Sequence, residues 1–396
     1  MEEPLHIAMF VDQHPGTLGG MQTSVRLQRS FLEAAGHVVT VVAPATRARH
    51  HEPESTVELP SLPLGGEYSY CLPGRRNDGA LESRLAGRPA VDIVHIQADF
   101  WLAATGYRHA ARHGLPVVHT MHNRMDVGLA ATVAIPNTVQ RALGLLQKRL
   151  LRLDGPAATD AWSYLRGFTR AADAVTAPST HFARLLEERG VFAAVDVVPN
   201  GLDDNVARDL LATPRPGRSG RVRLVWIGRF SPEKRLLPFL EALRRSGVDA
   251  EVHVFGDGAE RGKAEAAARR IDRADVVFRG TVPYRGMLEE LRAADALIQT
   301  SQGFETQGMT VFEAAALGTP TLLSDHRIAA DLPEGTYRLT PDGTVDGLAA
   351  ALRAVVGEIR GGAPTAAMDA ASLLQSRHTR TMLDVYARAL AARPAR

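Results

Sequence analysis

Glu305 and Glu313 stand eight positions apart in GFETQGMTVFEAAALGTP, where glycines precede a helix-forming run. The spacing predicts a loop that turns directly into a helix. The first amides of a helix lack intrahelical partners and sit at the positive end of its dipole, so such a start suits a phosphate. A carboxylate on the loop and another about one turn into the helix then reach hydroxyls on either side of that phosphate. A sugar nucleotide has this layout of hexose, diphosphate and ribose. The other reading of the segment is a surface loop whose Glu residues cap the helix or face solvent. Upstream, WIGRFSPEKR places Arg229 and Lys234 just after an apolar run. An arginine fork and a lysine point charge together suit an anion. The other reading of that turn is a solvated basic pair with Glu233.

These groups need a scaffold, and the chain supplies one. Short β-branched runs at 5–11, 37–43, 91–96, 115–120, 174–179 and 195–200 alternate with amphipathic stretches such as 23–35 and 181–189. Continuous apolar runs of this length read as parallel strands covered on both faces, hence an α/β sheet. A second series runs through 223–230, 251–256, 275–280, 295–301 and 319–325. Between the series, 207–221 has the proline, glycine and charge of a linker. The fold class expected is α/β: two doubly wound, Rossmann-like parallel-sheet domains facing a cleft, 1–205 and 206–375. A final helical segment at 373–390 either caps the second domain or, over about 376–396, packs back onto the first. The stretch 61–89, rich in Gly, Pro and Arg, reads as a long loop. Ligands of such sheets bind beyond the carboxyl ends of the strands, where Arg229, Lys234 and Glu305 fall.

Composition removes other classes. At 396 residues two domains are the natural division. No apolar run is long enough to span a bilayer, and the start MEEP is unlike a signal peptide. One cysteine, Cys71, excludes an internal disulfide and a cysteine zinc site. A cytoplasmic setting is expected. The net charge of +2 and the low aromatic content offer no nucleic-acid signature. Gly16, Gly19 and Gly20 do not form GxGxxG, and the second strand ends VVAPAT without a ribose-binding acid, so a nicotinamide enzyme is not indicated. There is no Walker loop and no GxSxG elbow. No DxD pair offers a metal clamp, so neither cofactor nor metal is expected, and side chains and helix ends must neutralise a diphosphate.

The order of GG near the first strand, VVPNGLD, GRFSPEKR, VFGDG, VVFRGTVPYRGMLEELRAADALIQTS and E-x7-E resembles retaining glycosyltransferases of family 4, with the GT-B fold. The resemblance covers nearly the whole chain and is strongest over 197–324. It implies that Arg229 and Lys234 hold the donor diphosphate and stabilise the leaving group. It implies that Glu313 takes the nucleotide ribose and that Glu305 lies near the donor sugar. Gly228 opens the basic turn, and Gly308, Met309 and Thr310 match the loop whose amides reach diphosphate and sugar. Arg279 and Val282 bound the turn that contacts the base through main chain. In the first domain Gly19 and Gly20 match the flexible phosphate-approaching loop, and His122 the position near donor sugar and acceptor. His95 reads as structural, and His119 as either functional or a core residue. Asn200–Gly201 reads as structural or close to a hinge.

The resemblance implies retention of anomeric configuration. Without a well-placed enzymic nucleophile, a front-face displacement through an oxocarbenium-like state is expected, with catalysis mainly electrostatic. The donor is expected to be a UDP-linked hexose or GDP-mannose. The acceptor hydroxyl is expected on a lipid or glycolipid at the inner membrane face. For that contact, 138–153 offers an apolar face of Val139, Ala142 or Leu143, Leu146, Leu150 and Leu153 beside Arg141, Lys148, Arg149 and Arg152. An ordinary core-facing helix with a solvated basic face is the alternative. The competing functions are a sugar-nucleotide-binding protein of the same fold without transferase activity, and an epimerase or phosphorylase.

Overall fold

The structure, a computed structural model, describes residues 3–17, 19–46, 55–65, 68–132, 135–217, 220–362 and 366–393. It divides into two compact units, Met1–Gly201 with Gln375–Arg396, and Leu202–Leu374. Among the described residues the first unit holds β1 (His6–Val11), β2 (Val38–Pro44), β3 (Thr56–Leu59), β4 (Leu62–Gly65), β5 (Tyr68–Tyr70), β6 (Ile93–Gln97), β7 (Val117–Thr120), β8 (Ala174–Ala177) and β9 (Val195–Val197). The second holds β10 (Val222–Ile227), β11 (Ala250–Phe255), β12 (Ala274–Gly280), β13 (Ala296–Gln299), β14 (Thr321–Leu323) and β15 (Tyr337–Leu339).

The first sheet runs β3-β2-β1-β6-β7-β8-β9 and the second β12-β11-β10-β13-β14-β15, with every pairing parallel. Parallel neighbours require crossovers, and helices fill them on both sheet faces. The strands show why. Every residue of β1 is buried, Ala8 and Phe10 in one apolar cluster and Ile7, Met9 and Val11 in another. In β10, Val222, Leu224 and Trp226 enter one cluster and Val225 the opposite one. Period-two alternation feeds two cores because both faces are dry.

Strand order reverses between β1 and β6 in one sheet and between β10 and β13 in the other. Crevices at such switch points are where doubly wound sheets bind ligands. Past β1 comes the Gly19–Gly20 turn, and past β7, two strands along from β1, His122. Past β10 come Gly228, Arg229 and Lys234, and past β13 comes Glu305.

Three expectations change. The stretch 61–89 is not a long loop: it holds the antiparallel β4–β5 hairpin and a helix, Arg75–Leu85. Gly66 and Glu67 lie outside the described residues. The stretch 207–221 begins inside the helix Asp204–Leu211, and Arg215 straps its next part to the second unit, donating to the carbonyls of Arg292 at 3.0 Å and Ala294 at 2.5 Å. Arg218 and Ser219 lie outside the described residues. In the helix Pro136–Leu151, Leu143 and Leu150 pack against the first unit's own core. The apolar stripe is therefore core-facing, and what faces outward is Arg141, Leu145 and Arg149.

The last helix, Gln375–Ala391, belongs to the first unit. Met382, Val385, Tyr386 and Ala389 bury against Ile7, Met9 and Val39. The Tyr386 hydroxyl lies 2.7 Å from His95 Nδ1, whose Nε2 is 2.7 Å from Thr120 Oγ1. Burial pushes His95 down to about 3, so it is a neutral structural residue. No helix among the described residues is long and apolar enough to cross a membrane.

Candidate active site

In the second unit the carboxyl ends of β10, β11 and β12 are laced together by main chain. Gly228 N donates to Phe255 O at 3.1 Å, Phe230 N to Asp257 O at 2.9 Å, and Gly256 N to Gly280 O at 2.8 Å. The glycines of VFGDG make this approach possible. Gly256 has φ 120°, and a Cβ there would sit 2.0 Å from the Gly228 carbonyl oxygen. Gly256→Ala is therefore expected to destabilise by about 2–3 kcal/mol and to displace the Gly228–Arg229 turn. A lowered urea midpoint at unchanged m-value would show the first. A wild-type midpoint would refute the packing.

The laced loops present the turn that carries Lys234. Trp226 Nε1 donates to Thr300 Oγ1 at 3.0 Å, and that hydroxyl donates to the Lys234 carbonyl at 2.8 Å. The neighbouring Arg235 adopts φ 59°, a left-handed conformation that a non-glycine residue holds only when its surroundings fix it. The Lys234 ammonium lies 2.5 Å from Glu305 Oε1 and 5.4 Å from the Phe304 ring centroid. Glu305 Oε1 also receives Gln299 Nε2 at 3.2 Å. Burial alone would raise the Glu305 carboxyl, but the Lys234 charge and hydrogen bonds from Lys234, Ser301 and Gln299 hold it below its usual value. It is an ionised acceptor.

Four residues past Glu305 begins the helix Met309–Ala316, preceded by Gly308, whose φ of 81° suits glycine. No side chain caps this helix, which leaves the amides of Met309 and Thr310 at the positive end of its dipole. Glu313 sits one turn in and is buried, and its Oε1 accepts the Tyr284 hydroxyl at 2.9 Å. Removal from water pushes Glu313 up to about 7 against the lowering effect of Tyr284. Two carboxylates of the same motif are thus shifted in opposite directions: Glu305 is paired with a cation, and Glu313 is poised between charged and neutral.

Arg229 takes a different position. Its guanidinium is half exposed and lies 3.4 Å from Glu233 Oε1, the local partner that the bland reading of the turn names. Such an exposed, long contact is worth little and is easily exchanged for a phosphate. Arg279 is exposed, with Nη2 3.1 Å from His253 Nε2, and Val282 packs against the apolar cluster beneath the turn.

In the first unit Gly19 precedes the helix Gly20–Ala34, which also lacks a side-chain cap. A Cβ on Gly19 would meet Gln22 Oε1 at 2.3 Å. Gln22 is itself tied to Gln13 and to Thr17, the latter at 3.1 Å. His122 Nε2 lies 3.0 Å from Gln97 Oε1. Gln97 Nε2 donates to Gln28 Oε1 at 3.0 Å, Gln28 to Ser24 Oγ at 3.3 Å, and Ser24 to Asn200 Oδ1 at 2.5 Å. Burial pushes His122 down to about 4, so it is a neutral hydrogen-bonding ring and not a proton carrier near pH 7. His119 is a core residue, bonded to Tyr107 at 3.0 Å and to the Ala98 carbonyl at 2.9 Å. Asn200 and Gly201 lie at the unit boundary, where Gly201 N donates to Gln375 Oε1 at 3.1 Å.

The structure thus joins Lys234 to Glu305 directly and sets Glu313 beyond the same uncapped helix start, while Arg229 points to a local partner. Gly19, Gly20 and His122 belong to the other unit. Sequence reasoning missed Tyr284, Gln299 and Gln97, the polar groups that orient the motif residues. It also missed Asp12, which follows β1 directly and accepts the amides of Asp99, Phe100 and Leu102 at 2.8, 2.7 and 2.9 Å. A carboxylate at the very end of the first strand was the available signal.

Residues 18–206 match the family model described as Glycosyltransferase Family 4, and residues 221–358 match Glycosyl transferases group 1. The chain is 25% identical over 333 residues to alpha-monoglucosyldiacylglycerol synthase of Streptococcus pneumoniae, covering 80% of this chain and 70% of that one. It is 26% identical over 355 residues to GDP-mannose-dependent alpha-(1-6)-phosphatidylinositol dimannoside mannosyltransferase of Mycobacterium tuberculosis, covering 85% and 84%. Among solved structures, sucrose-phosphate synthase from Thermosynechococcus elongatus superposes with a TM-score of 0.73 at 20% identity, over 98% of this chain and all of that one. Anabaena Alr3699/HepE, solved with UDP and glucose, gives 0.67 at 15% identity, over 96% and 99%. These two likenesses show the GT-B fold.

Proposed function

We propose that this chain, which belongs to glycosyltransferase family 4, moves a hexose from a nucleotide diphosphate sugar to a lipid or glycolipid hydroxyl with retention of configuration. The observation that carries this reading is the Lys234–Glu305 pair at 2.5 Å beside an uncapped helix start that leads to buried Glu313. A cation and free amides suit a diphosphate, Glu305 suits sugar hydroxyls, and Glu313 suits ribose hydroxyls. As the bond from the anomeric carbon to the diphosphate breaks, negative charge grows on the departing oxygen. In this reading Lys234, the amides of Met309 and Thr310, and Arg229 once it leaves Glu233 absorb it. The acceptor oxygen attacks from the same face, and its proton passes to the departing phosphate. Neutral His122 hydrogen-bonds a donor hydroxyl, and no metal is required.

The names of the two relatives support a lipid acceptor, and divide between a glucosyl and a mannosyl donor. The decisive experiment incubates the chain with UDP-glucose, UDP-galactose or GDP-mannose and with diacylglycerol or its monoglycoside. A glycolipid whose new linkage keeps the donor's anomeric configuration, formed at a rate that magnesium or manganese leaves unchanged, is expected. Donor binding without transfer to any hydroxyl would leave only a sugar-nucleotide-binding protein.

Peripheral attachment at the inner membrane face is part of the proposal, supported by the outward side of Pro136–Leu151, where Arg141 and Arg149 flank exposed Leu145. With the apolar stripe core-facing, attraction is electrostatic, at roughly 1 kcal/mol per basic residue near an anionic surface. Reversing Arg141 and Arg149 to Glu is expected to weaken sedimentation with anionic vesicles by at least roughly tenfold, and salt should do the same. Equal sedimentation with zwitterionic vesicles would remove this face from the reading.

A further inference from the structure

Two helices of the first unit carry a second constellation that the donor chemistry does not use. Glu82 stands on Arg75–Leu85, and His109 and His113 stand one turn apart on Trp101–His113. A spacing of four residues puts both imidazoles on one helix side. Glu82 Oε1 lies 3.1 Å from His109 Nδ1 and 3.1 Å from His113 Nε2, and the three groups' donor atoms all fall within 4.8 Å of one another. Tetrahedral zinc, with bonds of about 2.0–2.2 Å to such atoms, separates its ligands by roughly 3.3 Å. The carboxylate-to-imidazole spacings are already those of a coordination edge. We infer that Glu82, His109 and His113 bind a divalent cation of the zinc type, with water completing its shell, and that the ion clips one helix to the other.

Chemistry narrows the ion. Two imidazoles and one carboxylate suit zinc or cobalt, whereas magnesium and calcium take oxygen ligands. His109 is buried, with its Nδ1 turned toward Glu82. Its Nε2 is buried without a hydrogen-bond partner, so no second contact dictates which nitrogen keeps the proton. One group opposes the ion: Arg112 Nη1 lies 2.6 Å from Glu82 Oε1. Arg112 is 40% exposed and also lies 3.1 Å from Asp78, so it has somewhere to withdraw. The geometry therefore makes Arg112 a competitor whose removal tightens binding.

The test is a cobalt titration of the untagged, chelator-stripped chain followed by visible absorbance, with zinc displacing the cobalt. One equivalent per chain is expected. His113→Ala and Glu82→Gln, both at partly exposed positions, should each weaken uptake at least tenfold with unchanged circular dichroism. Arg112→Ala should tighten it several-fold. Zinc at about a hundredfold excess over Kd should raise the thermal midpoint by roughly 5 °C, an effect lost in His113→Ala. Uptake that is equal in all four proteins, no uptake below about 100 µM metal, or an equal response to magnesium would each overturn the assignment.

Discussion

Lys234→Ala is expected to lower kcat by roughly 10²–10³-fold, the usual effect of deleting one preorganised donor aimed at charge that develops in a transition state. Lys234 is mostly buried, its main-chain carbonyl accepts from the Thr300 hydroxyl, and its ammonium is held by Glu305. It is therefore already oriented when a donor arrives. The loss should exceed that from Arg229→Ala, because the Arg229 guanidinium is half exposed on Glu233 and must first reorient. Lys234→Ala also strands Glu305, whose side chain is 12% exposed, and a buried carboxylate without its cation costs stability. Adding Glu305→Gln to Lys234→Ala separates the two effects: the double variant should recover part of the lost thermal midpoint and none of the lost turnover. Steady-state rates with a defined donor and acceptor, read beside thermal melts, decide the matter. A kcat within threefold of wild type in Lys234→Ala sinks the assignment of the phosphate-binding cation.

The alternation of strands and helices was legible because strands covered on both faces must be largely apolar, as HIAMFV, VVTVVAP and IVHIQ of β1, β2 and β6 are. The edge strands β3 and β15 were not legible, since TVEL and YRL are short and carry polar residues on a less covered side. Arg75–Leu85 hid for a related reason. It reads RRNDGALESRL and buries only Asn77, Asp78 and Leu81, too little for a helical apolar stripe. At the site, motif spacing named Lys234, Glu305 and Glu313 but not their orientation. Whether Arg229 meets Glu233 or a ligand, and which hydroxyl holds Glu313, depends on loops that approach only after folding. Tyr284 lies 29 residues from Glu313, and no local pattern links them. The same holds for Glu82 and His109, 27 residues apart on different helices. Local chemistry is legible in sequence where one loop supplies it, and is lost where two elements must meet.

Glu313 provides the second large effect, and its sign follows from its raised carboxyl. Folded, it titrates at about 7; unfolded, near 4.5. The folded chain therefore binds more protons than the unfolded chain between those values, and stability attributable to Glu313 is full below about 4.5 and lost as pH rises through about 7. The gap is worth roughly 3 kcal/mol at pH 8. Glu313→Gln keeps the shape and an acceptor for Tyr284 but removes the titration. Relative to wild type, its unfolding free energy should gain on the order of 3 kcal/mol between pH 4.5 and 8, with most of the change before pH 7. Nucleotide binding should move the other way. Above pH 8 an ionised Glu313 can accept ribose hydroxyls in charge-assisted bonds worth about 1.5–3 kcal/mol, so Glu313→Gln should bind the nucleoside diphosphate roughly 10–100-fold more weakly. A more stable protein that holds its donor less well is the signature of a buried acid kept for binding. Parallel stability profiles for the two proteins across that pH range would show that Glu313 is solvated and ionised throughout, and the ribose role would then lose its physical basis.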